Sequence, residues 1–455
     1  MPDPSEIAAF RFGFGLPQAR SAATTPEAIL AALSGPDQGM ALWPGPSEDE
    51  ILSLHHEALI ARRAVRKSGN DKVLREAYNG LARQVDRQEA QHARLFFARA
   101  LDSPDAFRER LSWFWSDHFT TMAKSRQDRG FPGGMTDHAL RPHLAGRFSA
   151  LLRAAVLHPA MLLYLDQSTS MGPGSPAGKR RKTGLNENLA RELVELHTLG
   201  VGADYAQEDV RQLAELLTGV AFEPGVGQVF HPRQAEPGPE TVLGTRYAGE
   251  GMAPVLAALD DLARRPDTAR HLARKLAVHF LTDTPDEQLV ERMAEAYLRH
   301  DTALLPVYEV MLTDASAFAE PRVKARQPGE FLVASLRALN LGGAQVMRMA
   351  PKPFQRLLRD PLAAMGQPWA RPRGPDGWPE AAAAWISPQG LAARISWAME
   401  VPGLLVEGGM PDPRALLDQC LGGLAGEPLR IAAARSESIR EGVGLVLASP
   451  EFNRR

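Results

Sequence analysis

A single cysteine, Cys420, serves a chain of 455 residues. One thiol excludes an intrachain disulfide and any cysteine-based zinc knuckle. It fits a reducing compartment, and a disulfide-free envelope protein equally. Long apolar runs are missing: no uninterrupted stretch approaches the ~18 residues of a membrane-spanning helix. The opening residues, MPDPSEIAAFRFGFG, are acidic first and hold no long apolar core, unlike a general secretory or a twin-arginine signal. The chain as read is expected to be cytoplasmic, with envelope association only through a partner. Charge of one sign is lacking too. Lys and Arg number 52 and Asp and Glu 54, a net charge of −2. No basic stripe with interleaved aromatics offers itself to nucleic acid. The one basic run, Lys179-Arg180-Arg181-Lys182, sits among Gly, Ser and Pro and reads as a solvated loop. No Gly-x-Ser-x-Gly context supports a serine hydrolase. RFGFGLP has neither a preceding strand nor dinucleotide spacing, and no repeat of fixed period suggests a solenoid.

What is present is helical periodicity. Hydrophobic residues make up 44% and charged residues 23%, a globular balance, in a length that supports two or three cores. In SPDAFRERLSWFWSDHFTT, Ser103 reads as an N-cap and Pro104 as first-turn proline. Phe107, Leu111, Phe114, Trp115 and His118 then share one face. RFSALLRAAVLHPAMLLYLDQ reads as a helix stopped near Pro159 and a short second one. Residues 170–184 form a Gly/Pro/basic loop. Asn186 caps the next helix, Gly200 and Gly202 end it, and QEDVRQLAELLTGV begins another, an αα-hairpin. Residues 223–251 turn rich in Gly and Pro, with β-like pieces at 228–230 and 241–243. A second irregular segment covers 365–380. The expected fold is all-α, a multi-helix bundle-like architecture with two long irregular loops and at most a small β-hairpin. Its expected regions are 1–170, 185–345 and 350–455, packed as one compact unit.

NENLARELVELH, residues 186–197, crowds three carboxylates, two amides, an arginine and a histidine together. On a helical wheel Leu189, Leu193 and Leu196 form the buried stripe. Asn188, Glu192 and Glu195 cluster on one flank, with Arg191 just beyond and His197 on the other. Glu195 and His197 point roughly 200° apart and cannot share a metal through this helix. Glu192 and Glu195, at i and i+3, can hold Ca²⁺ or Mg²⁺, or divide into acid and base if their environments differ. The plainer alternative is a surface pair between Arg191 and Glu195. His118, with Asp117 before it and Thr120-Thr121 after it, is a site candidate at a helix end. His279 reads as a satisfied core histidine.

YLDQSTSMGP followed by NENLARELVELHTLGVGADYAQEDVRQLAELLTGV resembles the central signature of the bacterial domain-of-unknown-function family 1800. FRFGFG, RLSWFWSDHFT, ETVLG, ARKLAVHFL, VKARQPGEFLVASLRAL and GQPWARPRGPDGWPEAAAAWISPQGLAAR resemble its other blocks, in order, over nearly the whole chain. The resemblance implies a mostly helical bacterial protein with no established activity. It also implies a gene neighbour of domain-of-unknown-function family 1501, an exported protein similar to alkaline phosphatases and sulfatases. Two departures stand out. Ala235 and Glu240 occupy positions where relatives often carry His and Lys, with His231 four residues earlier. Ser116 and Asp117 stand where relatives often have His-Asn. His197 is Phe in some relatives, which implies packing.

The resulting expectation is a polar cleft lined by the signature helix, with Asp166 and His118 approaching it. Arg191 is expected as a member of an arginine–carboxylate network. Glu192, Glu195 and His118 are the expected catalytic groups. Asp166, Asn186, Glu187, Asn188, Arg191 and His231 are expected to bind substrate or partner. Glu192, Glu195 and Asp166 are the expected ligands of a divalent cation, if one binds; no other cofactor is implied. Two functions follow: a binding or maturation partner of the phosphatase-like neighbour, or a hydrolase or transferase acting on an envelope glycan or phosphoester.

Overall fold

The computed structural model describes residues 3–16, 23–69, 71–181 and 184–455. Lys182 of the basic run and Pro17 of RFGFGLP lie outside them. The described chain is mostly α-helical, as expected, with two small antiparallel two-stranded sheets. A helix spanning Glu48–Lys67 starts at a capping box, Ser47 with Glu50, and pairs with a second of 31 residues, Lys72–Asp102. The aromatic helix Ala106–His118 follows directly.

Apolar side chains gather into two buried clusters. The first takes Phe107, Leu111, Phe114 and Trp115 of the aromatic helix and the buried leucines of the signature segment. The second takes Phe97, Phe331, Leu358 and Trp397 with the C-terminal helices. The N-terminal helix Pro4–Arg11 lies between them: Ala8 and Phe12 enter the first, Ile7, Phe10 and Phe14 the second. Arg11 anchors it by donating to the carbonyls of Ser316, Ala317 and Ala319 at 2.7–3.1 Å.

A buried ionic network joins groups from both halves of the chain. Arg110 and Arg455 both pair with Glu330. Arg110 also reaches His279 Nε2 at 3.2 Å, and His279 Nδ1 donates to Glu380 at 2.6 Å. His279 is thus a satisfied buried histidine, as read, but through charged partners. Lys324 completes the network by donating to Asp283 and to the Glu380 carbonyl, both at 2.6 Å. Charges this deep persist only when mutually paired and hydrogen-bonded.

Four local readings change. Asp105, not Ser103, caps the aromatic helix by accepting from the Arg108 N–H at 2.9 Å; Pro104 lies outside the helix. Residues Pro176–Arg181 form a short helix, so Lys179, Arg180 and Arg181 end a helical turn. Two hairpins form where at most one was expected: Val220–Glu223 with Gly227–Phe230, and Glu240–Val242 with Thr245–Tyr247. The third and fourth strands have their own tight turn through Leu243 and Gly244, both at positive φ, which the sequence reading merged with the first. The signature is the fourth change. It is α-helical over Asn188–Glu192 and π-helical over Leu193–His197. The wider π turn rotates each residue through a smaller angle. His197 therefore swings onto the buried stripe beside Leu189 and Leu193, while Leu196 is only partly buried. The Thr198 hydroxyl satisfies the Leu193 carbonyl at 2.6 Å.

Candidate functional site

Asn186 does organise the start of the signature. Its Oδ1 accepts from the Asn188 N–H at 2.9 Å, an Asx turn, and its Nδ2 donates to the Leu165 carbonyl at 3.0 Å. Arg191 lies between Glu187 at 3.1 Å and Glu195 at 3.4 Å and also donates to Gln207 at 2.9 Å. All four side chains reach solvent, so this string is a surface ion-pair network. Such a network contributes a few tenths of a kcal/mol per pair. Asp166, at positive φ, pairs with Lys124 at 2.5 Å. His231 pairs with Glu223 across the first hairpin at 3.4 Å.

Glu192 differs from Glu195. It has no salt bridge among the described residues. Burial raises its pKa, with further contributions from Glu195 and from Asp376 of the second irregular segment. Burial likewise raises the Tyr164 phenol, again with Glu192 and Asp376 nearby. The two glutamates thus occupy unlike environments, the condition under which such a pair divides its roles.

The other end of the signature meets a buried group of histidines. His118 Nε2 lies 3.2 Å from the His197 carbonyl, and the His118 ring lies 6.0 Å from that of His197 and 6.3 Å from that of His271. Burial drives all three below the ordinary imidazole range, His197 to about 3 and His271 to about 4. They are neutral at pH 7. Lys275 is adjacent. Burial pushes its ammonium below the usual lysine range, and the charges of Asp117, Glu380 and Asp376 oppose that.

Asp117 links this group to a cleft. Its Oδ1 accepts the backbone N–H of Trp378 at 2.9 Å, tying the aromatic helix to the second irregular segment. Gly377, at φ +77°, makes the approach possible: a Cβ there would lie 2.6 Å from Asp117 Oδ1. Burial pushes the Asp117 carboxyl up to about 7. The Trp378 N–H works against the rise, the charges of Glu380 and Asp376 add to it, and Lys275 opposes it. The cleft above Asp117 encloses about 190 Å³ between the aromatic helix, residues 129–137 and residues 362–378. Its walls include Phe96, Trp113, Trp369 and Trp378, with Ser116 and Thr136 hydroxyls between them. A buried titratable carboxyl with a specific charged neighbour, set in a cleft, is the arrangement found at functional sites.

None of the signature residues lines this cleft. The structure brings His118 against the signature through the His197 carbonyl. The Asp166 side chain is instead turned to Lys124. Sequence reasoning did not single out Lys275, Asp376, His92 or the three tryptophans. Asp117 was visible only as the neighbour of His118 and as a departure from its relatives. Among the described residues no three His, Cys, Asp or Glu side chains gather to hold a metal ion, and no helix is long and apolar enough to cross a membrane.

A family described as "Protein of unknown function (DUF1800)" matches residues 7–454. No curated protein and no solved structure matches the chain.

Proposed function

The chain belongs to the DUF1800 family, and from that premise we propose that it is an acid–base enzyme, a hydrolase or transferase of an envelope glycan or phosphoester. Its working group is Asp117, at the floor of the tryptophan-walled cleft. The observation that carries this reading is a carboxyl set among aromatic walls in a cleft large enough for one ring and held by the Trp378 N–H; burial there pushes it up to about 7. A group poised there is about half protonated at neutral pH, the optimum for general catalysis. In its acid form Asp117 gives its proton to the departing oxygen as the substrate bond breaks. In its ionised form it takes a proton from the water or acceptor hydroxyl whose oxygen forms the new bond, and the starting state returns. Lys275 favours the ionised form by charge. Glu192, coupled by charge to Asp376, lies outside the cleft and is not part of the acid–base step, and Glu195 stays bound to Arg191.

The test needs no substrate. Tryptophan fluorescence followed from pH 5 to 9 should show a transition near 7 that Asp117→Asn abolishes. Any signal that persists in Asp117→Asn comes from other groups, so the difference isolates Asp117. An identical transition in both, or none in either, would remove the base from this reading.

A second reading keeps the exposed network of the signature. Glu187, Arg191, Glu195 and Gln207 present a polar face to solvent, and a phosphatase-like partner of family 1501 would dock there. Co-purification of the two proteins at low salt, weakened by Arg191→Glu, is the expected outcome. Clean separation under those conditions would end it.

A further inference from the structure

We infer that the cleft above Asp117 takes a neutral, hydroxyl-bearing ring, a saccharide unit, and not an anion such as a phosphoester. This deepens the acid–base reading and rests on it.

The chain has seven tryptophans. Four donate their indole N–H to protein acceptors: Trp43 to Asp102, Trp115 to Tyr308, Trp385 to the Pro379 carbonyl and Trp397 to the Leu357 carbonyl, at 2.8–3.0 Å. The remaining three, Trp113, Trp369 and Trp378, have no acceptor among the described residues, and these three line the cleft. None of these three indole nitrogens is buried without a partner, so all three N–H groups are open to water or to the acceptor oxygens of a ligand.

A neutral imidazole lies beside them. His92 lines the cleft, is 6% exposed, and its Nε2 has no hydrogen-bond partner. The Asp137 carboxylate lies 3.9 Å from Nδ1, beyond hydrogen-bond distance. His92 is neutral at pH 7, held down to about 4 by burial against the opposing charge of Asp137. Indole N–H groups and the Ser116 and Thr136 hydroxyls between aromatic faces match a ring that carries hydroxyls at its rim and C–H groups on its faces. The quadrupole of an aromatic ring attracts such polarised C–H edges.

The cations of the cleft are all engaged. Arg99 forms a two-pronged pair with Asp137, Arg141 pairs with Glu109 and Asp37, and Arg129 pairs with Asp86. An anion would need a guanidinium or ammonium free to meet it, and Asp117 would repel it. The enclosed volume, about 190 Å³, also fits one ring, since a cavity of about 150 Å³ admits benzene.

The full chain at pH 7 should be titrated, by tryptophan fluorescence and calorimetry, with maltose, N,N′-diacetylchitobiose, glucuronic acid, glucose 6-phosphate and inorganic phosphate. Binding of a neutral disaccharide is expected, weakened roughly fivefold to tenfold by Trp369→Phe, which keeps the aromatic face and deletes one donor. Tighter binding of glucose 6-phosphate or glucuronic acid than of either neutral sugar would overturn the inference and leave the cleft standing as the site. Neutral-sugar binding unchanged in Trp369→Phe would overturn it by placing the sugar elsewhere. No response to any probe would overturn it as well, and the Asp117 titration would still decide the acid–base reading by itself.

Discussion

Asp117 carries a cost that the fold accepts. Its carboxyl ionises near 7 in the folded chain but near the ordinary aspartate value when unfolded. Between about 4 and 7 the folded state binds the extra proton, so stability falls as pH rises through that window. Above 7 the penalty is complete. Asp117→Asn keeps an oxygen for the Trp378 N–H and removes the charge. At pH 8 the variant should therefore be more stable than the wild type by about 1–2 kcal/mol, a figure discounted for partial exposure to the cleft. At pH 4 the two should coincide. Urea midpoints at the two pH values check this; a variant weaker at pH 8 would mean that the charge is not penalised. Stability gained where a working group is removed is the trade expected at a functional site.

The second irregular segment, residues 365–380, is tied to the aromatic helix through the Asp117–Trp378 bond. Gly377→Ala would put a methyl group against Asp117 Oδ1 and, at 2.7 Å, against its carbonyl oxygen, at a positive φ besides. The Trp378 N–H bond should break and the cleft open. A loss of about 1–3 kcal/mol is expected, with near-ultraviolet circular dichroism of the tryptophans altered and helical content retained. An unchanged near-ultraviolet spectrum would show that the segment can relax around the methyl.

This element also marks the limit of what the sequence reveals. The aromatic helix and the αα-hairpin were legible because a 3.6-residue period is written locally in Phe107, Leu111, Phe114 and Trp115. Family resemblance located the signature. The Asp117–Trp378 bond spans 261 positions, and no periodicity says which loop will close over which helix. The π turn was equally hidden: an ideal wheel places Leu196 inside and His197 on a flank, and the structure reverses them. His197 ends up with both ring nitrogens buried and unpaired. Its folded pKa is about 3, so the unfolded chain takes up the proton first as pH falls below 6.5, and folding weakens towards 3. His197→Phe should make that acid limb shallower. A limb of unaltered slope in thermal melts from pH 7 to 4 would indicate that His197 is solvated.

The two apolar clusters make one molecule partly because charge is buried between elements of both. Arg110 comes from the aromatic helix, which feeds the first cluster, and Glu330 from Pro328–Ala338, which feeds the second. Despite complete burial, Glu330 ionises at about 2, because Arg110 and Arg455 both face it. Its contribution is full above the ordinary glutamate value and is lost as pH falls through 2. Glu330→Gln would leave two guanidinium groups buried without a countercharge, and removing one partner of such a set costs about 3–5 kcal/mol. The loss should not stay local. With the ionic junction weakened, each cluster keeps its own apolar contacts while their coupling falls. Calorimetry should then change from one cooperative transition in the wild type to two in Glu330→Gln, the lower one about 3–5 °C below the parent midpoint by the usual conversion for a chain of this length. If Glu330→Gln unfolds in one step within about 1 kcal/mol of the wild type, apolar packing alone unites the clusters and the network owes its place to something other than stability.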